Sequence, residues 1–307
     1  MAAAAAGTDE ARIIHALNVM CRMDPARVGE DAARVASLLG EDAGEDFLET
    51  VDRPLAVAKC ASTGKTYIKC DYNRDGDSHR SPWSNTYDPP VEAEDGEEAF
   101  VPPAELRKTE VAANELLSVY GSQYYGSGAA TSAYLWDQDG GSIAGCFLVR
   151  KDIEGGRHVK SATWNSINVV EATPSPAGEG QFVYRLTSSL VLQASVVNDE
   201  VGTVSLSGTL TRKTERTQKP EGAAAVGPDA SKPDHIAVWG GMIEAMESSM
   251  HSLIENVVVA KSATALSASR QAGSSGPAPT ASFVASLNAA VVAHGTKRSA
   301  LDKERGQ

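Results

Sequence analysis

Apolar residues recur along this chain at two different periods, and the change of period divides it. From residue 8 to 54 the period is helical. Ile13, Ala16, Leu17, Met20 and Cys21 stand three and four apart, which places them on one helix face. Asp24 and Pro25 predict the cap and first turn of a second helix, with Val28, Ala32, Val35 and Leu39 as its stripe and Gly40 as its stop. A third helix carries Phe47, Leu48 and Val51 ahead of Pro54. Short connections favour antiparallel neighbours, so residues 1–55 are expected to form a small helical bundle.

From 56 to 101 no period holds, and the stretch is expected to be irregular. It contains a dense polar run, "DYNRDGDSHRSP", and an acidic insert, "VEAEDGEEAF", which reads as a solvated loop. Helical spacing returns from Pro103 to about Tyr125, with Leu106, Ala113, Leu117, Tyr120 and Tyr124 on one side. The period then drops to two. "TSAYLWDQ", "SIAGCFLVRK", "ATWNSINVVEA", "FVYRLTSSLVLQASVV" and "TVSLSGTLTRK" are rich in β-branched and aromatic residues. Glycine-containing turns separate them, which predicts a five-stranded antiparallel meander over residues 131–214. In the last strand Val204, Leu206 and Leu210 are expected to face inward, with Gly208 breaking the alternation.

Such a sheet needs a cover, and the following region, 215–266, supplies a helix. Ile236, Trp239, Ile243, Met246, Met250, Leu253, Val257 and Ala260 are spaced three and four apart without a miss. This seam suits a coiled coil or a helix laid on a sheet; the five preceding strands favour the sheet. Residues 267–282 include a Gly, Ser and Pro linker that cannot build a core. Beyond it, in 283–307, Phe283, Leu287, Ala290, Val291 and His294 regain helical spacing. The fold class is therefore α+β: a helical stalk, a meander sheet, a long covering helix and a tethered amphipathic helix.

Composition removes several classes of function. The 307 residues carry a net charge of −12, which argues against nucleic-acid binding through phosphate contacts. The start, "MAAAAAGTDEAR", lacks the basic and apolar regions of a secretory signal, and no apolar run reaches the length needed to span a bilayer. A soluble, cytoplasmic protein is expected. The four cysteines, at 21, 60, 70 and 146, form no CxxC pair, so reduced thiols are the simplest reading.

The polar run begins like a calcium loop, with Asp71, Asn73 and Asp75 at alternate positions and Gly76 sixth. Its twelfth position, where a bidentate Glu belongs, is Pro82, and the flanks are not helical. Gly64-Lys65-Thr66 ends like a phosphate-binding loop, but Lys59 stands where the first glycine is required. No G-x-S-x-G occurs, and the six histidines show no metal-ligand spacing; each reads as a surface or cap residue. No cofactor, metal or catalytic group is expected.

One run is more specific than any of these patterns. "YIKCDYNRDGDSHRSPWSNTYDPP" resembles the signature of the beta subunit of the heterodimeric F-actin-capping protein. "VDRPLAVA", "LRKTEVAANE", "SAYLWDQDGGSIAGCFLVRK", "WNSINVVE", "YRLTSSLVL", "SLSGTLTRK" and "HIAVWGGMIEAMESSMHSLI" are similar to further segments of that family, over roughly residues 10 to 260. The resemblance implies a chain that shares one sheet with an alpha subunit in an obligate heterodimer. It implies binding to the barbed end of an actin filament, with no bond chemistry, and a cytoskeletal location. It also implies a mobile C-terminal helix that docks on actin through Phe283, Leu287, Ala290 and Val291, with Lys297 and Arg298 behind them. Taken alone, that stripe suits the protein's own core as well as a partner's groove. The family's basic continuation is replaced here by Val292, Ala293 and His294. This departure motivates an alternative, a divergent beta subunit that acts mainly as a scaffold and caps weakly.

Two further traits of the family concern regulation. Arg22, Asp52 and Asp71 match positions that would bind regulatory peptides on the stalk, although plain surface pairing explains them equally well. Acidic phospholipids inhibit members of the family, but this tail is too sparsely basic to predict that response. The resemblance also implies that the polar loop is a structural element at the junction of stalk and body, with its carboxylates held by hydrogen bonds and Trp83 buried as an anchor.

Overall fold

The computed structural model describes residues 2–20, 27–51, 55–91, 99–155, 159–176, 180–198, 202–220 and 235–254. Alanine has the highest helix propensity, and the first helix, α1 (Ala2–Met20), starts in the alanine run ahead of the apolar stripe. Cys21, Asp24 and Pro25 lie outside the described residues. The second helix, α2 (Val28–Leu39), ends at Gly40, whose φ of 93° is readily adopted only by glycine. The chain then returns in α3 (Glu41–Thr50). Ala16, Ala32, Ala36 and Phe47 form the centre of this bundle, and Ile13, Leu17, Met20, Val35, Leu39, Leu48 and Val51 pack around them.

Residues 56–91 are more ordered than their pattern predicts. β1 (Ala56–Lys59) and β2 (Thr66–Lys69) form an antiparallel hairpin. A 3-10 turn at Asp71–Asn73 leads into β3 (Arg74–Asp75), β4 (Ser78–Arg80) and β5 (Tyr87–Asp88), which make a second small sheet. Strands of two to four residues are too short to display an alternation.

The long helix α4 (Ala104–Tyr124) follows, close to its predicted limits. β6 (Ala130–Gln138), β7 (Ser142–Glu154), β8 (Val159–Pro174), β9 (Phe182–Asn198) and β10 (Gly202–Gln218) then form one antiparallel meander in chain order. The register between β9 and β10 runs unbroken, with Gly208 paired to Leu192.

α5 (His235–Leu253) lies on the same face of the sheet as α4. The core between helices and sheet includes Leu117, Phe147, Val170, Tyr184, Leu186 and Trp239. Val238 and Met242 join Trp239, Ile243 and Met250 in the buried side of α5, a stripe broader than a coiled-coil seam. Val257 and Ala260 lie outside the described residues. The opposite face is covered at its β6–β7 end, where Leu55 and Ile68 pack on Tyr134, Cys146 and Leu148. His235, expected at a surface or cap, is buried in the main core, with Nδ1 2.9 Å from the Tyr184 hydroxyl. Among the described residues no helix is long and apolar enough to cross a membrane.

Candidate functional site

The polar loop is built around two side chains that point inward. Asn73, at the end of the 3-10 turn, accepts the Cys70 N–H at 2.9 Å through Oδ1. Its Nδ2 donates to the Arg80 carbonyl and to the Tyr134 hydroxyl, each at 2.8 Å. Asn73 occupies the third place of the apparent calcium loop, and these bonds turn its amide away from the loop's outer side. Arg80 is 1% exposed, and its Nη1 and Nη2 donate to the two oxygens of Glu110 at 2.8 Å each. Such a planar, bidentate pair is the strong form of a charged hydrogen bond.

Glu110 comes from α4 and is fully buried. It also accepts from Arg107, whose Nη2 reaches the carbonyls of Pro82 and Trp83. Its Oε2 further accepts the Leu135 N–H of β6 at 2.9 Å. A single carboxylate therefore joins the loop, α4 and the sheet. Burial pushes the Tyr134 hydroxyl, beside Arg80, well above its ordinary titration range.

Two expectations about this loop need correction. Trp83 is only half-buried: its Nε1 donates to the Thr66 carbonyl at 2.8 Å, and Lys65 sits over its ring at 4.4 Å. The buried anchors are Arg80 and Asn73. The loop carboxylates are also less enclosed than expected, because the Asp71 side chain is 71% exposed and lies 3.9 Å from Arg74. Next to it Tyr72 stacks on Trp136 with ring centroids 5.3 Å apart.

The two edges of the main sheet differ. At β6, Asn114 of α4 takes the place of a neighbouring strand: its Oδ1 accepts the Ala133 N–H at 2.9 Å and its Nδ2 donates to the Ala133 carbonyl at 2.8 Å. With Glu110 on Leu135, this closes the edge. At the other end, no strand among the described residues pairs with the outer side of β10. From Ser207 to Gln218 that strand is mostly exposed, and Leu210 is its half-buried apolar residue. Beneath α5 a second buried carboxylate, Glu247, accepts hydrogen bonds from Tyr120, Ser166 and Asn168, the first at 2.6 Å. Neither Glu110 nor Glu247 is marked as buried by its local sequence, because, apart from Arg107, the partners of their carboxylates lie 25 to 127 residues away.

Of the residues expected to bind regulators, Asp71 is placed on the surface of the 3-10 turn, while Arg22 and Asp52 lie outside the described residues. Phe283, Leu287, Ala290, Val291, Lys297 and Arg298 also lie outside them.

The family model described as "F-actin capping protein, beta subunit" matches residues 13–265. The F-actin-capping protein subunit beta of Emericella nidulans is 39% identical over 254 residues, covering 82% of this chain and 87% of the relative. That of Yarrowia lipolytica is 40% identical over 250 residues (80% and 85%), and that of Caenorhabditis elegans 36% over 252 residues (82% and 86%). With a family match that spans most of its length, and relatives this similar, the chain belongs to the F-actin capping protein beta-subunit family.

Proposed function

We propose that this chain is the beta subunit of a heterodimeric F-actin-capping protein, binding filament barbed ends and blocking subunit addition and loss. The observation that carries the reading is the asymmetry of the sheet. One edge is sealed by Asn114 and Glu110, and the other presents the full length of β10 without a neighbour among the described residues. A long, regular, unbulged edge strand is a template for another chain, and monomeric proteins ordinarily shorten, bend or cover such edges. An alpha subunit that continues the sheet past β10 satisfies those backbone groups. The family membership supplies the identity of that partner, and the actin filament follows from the relatives' names.

The capping contact is divided between this two-chain body and the C-terminal segment. Phe283, Leu287 and Val291 are spaced four apart, the spacing that a helix would bring to one side. Each such side chain contributes about 1.5–3 kcal/mol on burial, before the cost of ordering the segment. A helix this short is marginal alone in water, so docking in a groove on actin completes it. Asp71, exposed beside the stacked Tyr72 and Trp136, supports a regulator-binding role for the loop.

Seeded actin elongation measured with the chain coexpressed with an alpha subunit tests the function. The expected result is arrest of barbed-end growth by a one-to-one complex. Elongation at the rate of seeds alone, in the presence of an intact complex, would refute it.

A further inference from the structure

The β10 edge of the sheet carries charge on its core side. In an antiparallel pair, residues directly opposite each other share a face. Arg212 and Arg216 of β10 stand opposite Ser188 and Tyr184 of β9, both of which are buried. Tyr184 and the intervening Leu186 belong to the core beneath α5. The two arginines therefore lie on the face that α4 and α5 cover elsewhere, yet both are exposed. Neither forms an ion pair among the described residues. The other face differs: there Arg185 of β9 lies 2.8 Å from Glu215 of β10 and 3.8 Å from Glu171 of β8, so opposite charges meet within the chain.

We propose, resting on the heterodimeric reading, that Arg212 and Arg216 are the positions at which β10 recognises carboxylates of the alpha subunit. A chain that prolongs the sheet past β10 must also cover its core side there, because α5 packs over β8 and β9. That cover comes down on two guanidinium groups, and a charge taken out of water without a partner is costly. Carboxylates meet the need, since the arginine fork matches two carboxylate oxygens in one plane. Arg80 and Glu110 show this geometry inside the chain, with two contacts of 2.8 Å. The chain as a whole carries −12, which repels an acidic partner at a distance; the two arginines reverse the sign where the strands meet.

The strand sets the spacing. Residues four apart along a strand are separated by about 13 Å, so the alpha subunit presents two acidic positions about that far apart on the α5 side of the sheet. The same pair selects the register. A partner displaced along β10 by two residues, about 7 Å, misses both arginines, although the backbone bonds of the edge allow the shift.

Two measurements on the coexpressed one-to-one complex test this. In complexes carrying Arg212→Lys or Arg216→Lys, a zero-length carbodiimide should couple the introduced amine to an Asp or Glu of the alpha chain, located by mass spectrometry. The Arg212→Glu/Arg216→Glu chain should bind the alpha subunit at least about tenfold more weakly than the unmodified chain at low salt, read by exchange against labelled complex. That difference should narrow at about 1 M salt, where charges are screened within about 3 Å. Lys213→Glu, on the opposite face, should leave the affinity unchanged. Coupling confined to carboxylates of this chain overturns the proposal, as does an affinity unchanged by the double reversal; in both cases the heterodimer still stands. Failure of the unmodified chain to pair with an alpha subunit removes the heterodimeric reading itself, and this proposal with it.

Discussion

At the scale of single residues, the fold depends on where a few charges are buried. Glu110 carries two arginines and a backbone N–H, and it and Arg80 are almost completely removed from water. Replacing a buried ion pair by apolar groups is often tolerated, but removing one partner strands the other charge and costs about 3–5 kcal/mol. Glu110→Ala should therefore lower stability by that amount in chemical denaturation. The double variant Arg80→Met/Glu110→Leu should lose less than Glu110→Ala alone. A loss in the double variant equal to the sum of the losses from Arg80→Met and Glu110→Leu alone would mean that the charges are not coupled. The sequence hides this centre, because Arg80 belongs to a loop thirty residues away from Glu110.

His79 gives the loop a pH dependence. Burial, followed by Lys69 and Arg74, pushes its imidazole below the ordinary value of 6.5, and its buried Nδ1 has no hydrogen-bond partner among the described residues. Since the folded value is the lower one, the unfolded chain binds the proton more readily between the two values. Stability falls as pH drops from 6.5 towards the folded value, and this contribution levels off below it. The His79→Gln protein should lose less stability than the wild type when acidified from pH 7 to about 5, the range set by the ordinary imidazole value. Parallel profiles for the two proteins would contradict the assignment.

At the scale of elements, the long ones are legible and the short ones are not. α4, α5 and the five strands of the meander each repeat their period often enough to stand out, and the breadth of the α5 stripe separates a sheet cover from a coiled coil. The strands of the loop region are set by Asn73 and Arg80 instead, through long-range bonds that no local pattern announces.

How α4 meets the sheet can be tested at Gly121. A Cβ there would lie 2.5 Å from the Thr131 methyl of β6. In an exposed helix Gly→Ala gains about 1 kcal/mol, but overpacking a tight contact costs about 1–3 kcal/mol. Gly121→Ala should therefore be destabilising in thermal denaturation, and Thr131→Ser, which removes the methyl, should reverse the effect. A simple stabilisation by Gly121→Ala would show that the helix stands further from β6.

At the scale of the whole molecule, the β6 edge held by α4 and the β10 edge, without a neighbour among the described residues, give the chain a direction of growth. Expressed alone, the chain should aggregate through this edge; coexpressed with an alpha subunit it should elute as a single one-to-one complex. A soluble, cooperatively folding monomer would remove the reason for a partner at β10. The stripe at Phe283, Leu287 and Val291 is legible in the sequence, but its period alone does not say whether its own core or another protein covers it. Burial of even one of those side chains on actin implies a difference in affinity of about tenfold or more.

The residence time of the complex on single barbed ends, observed by filament microscopy, tests this division of labour most directly. A complex whose beta chain stops at residue 282 should still assemble and still arrest growth, but should leave the filament end at least about ten times sooner than the full complex, as loss of one buried apolar side chain requires. Equal residence times for the two complexes would contradict the account.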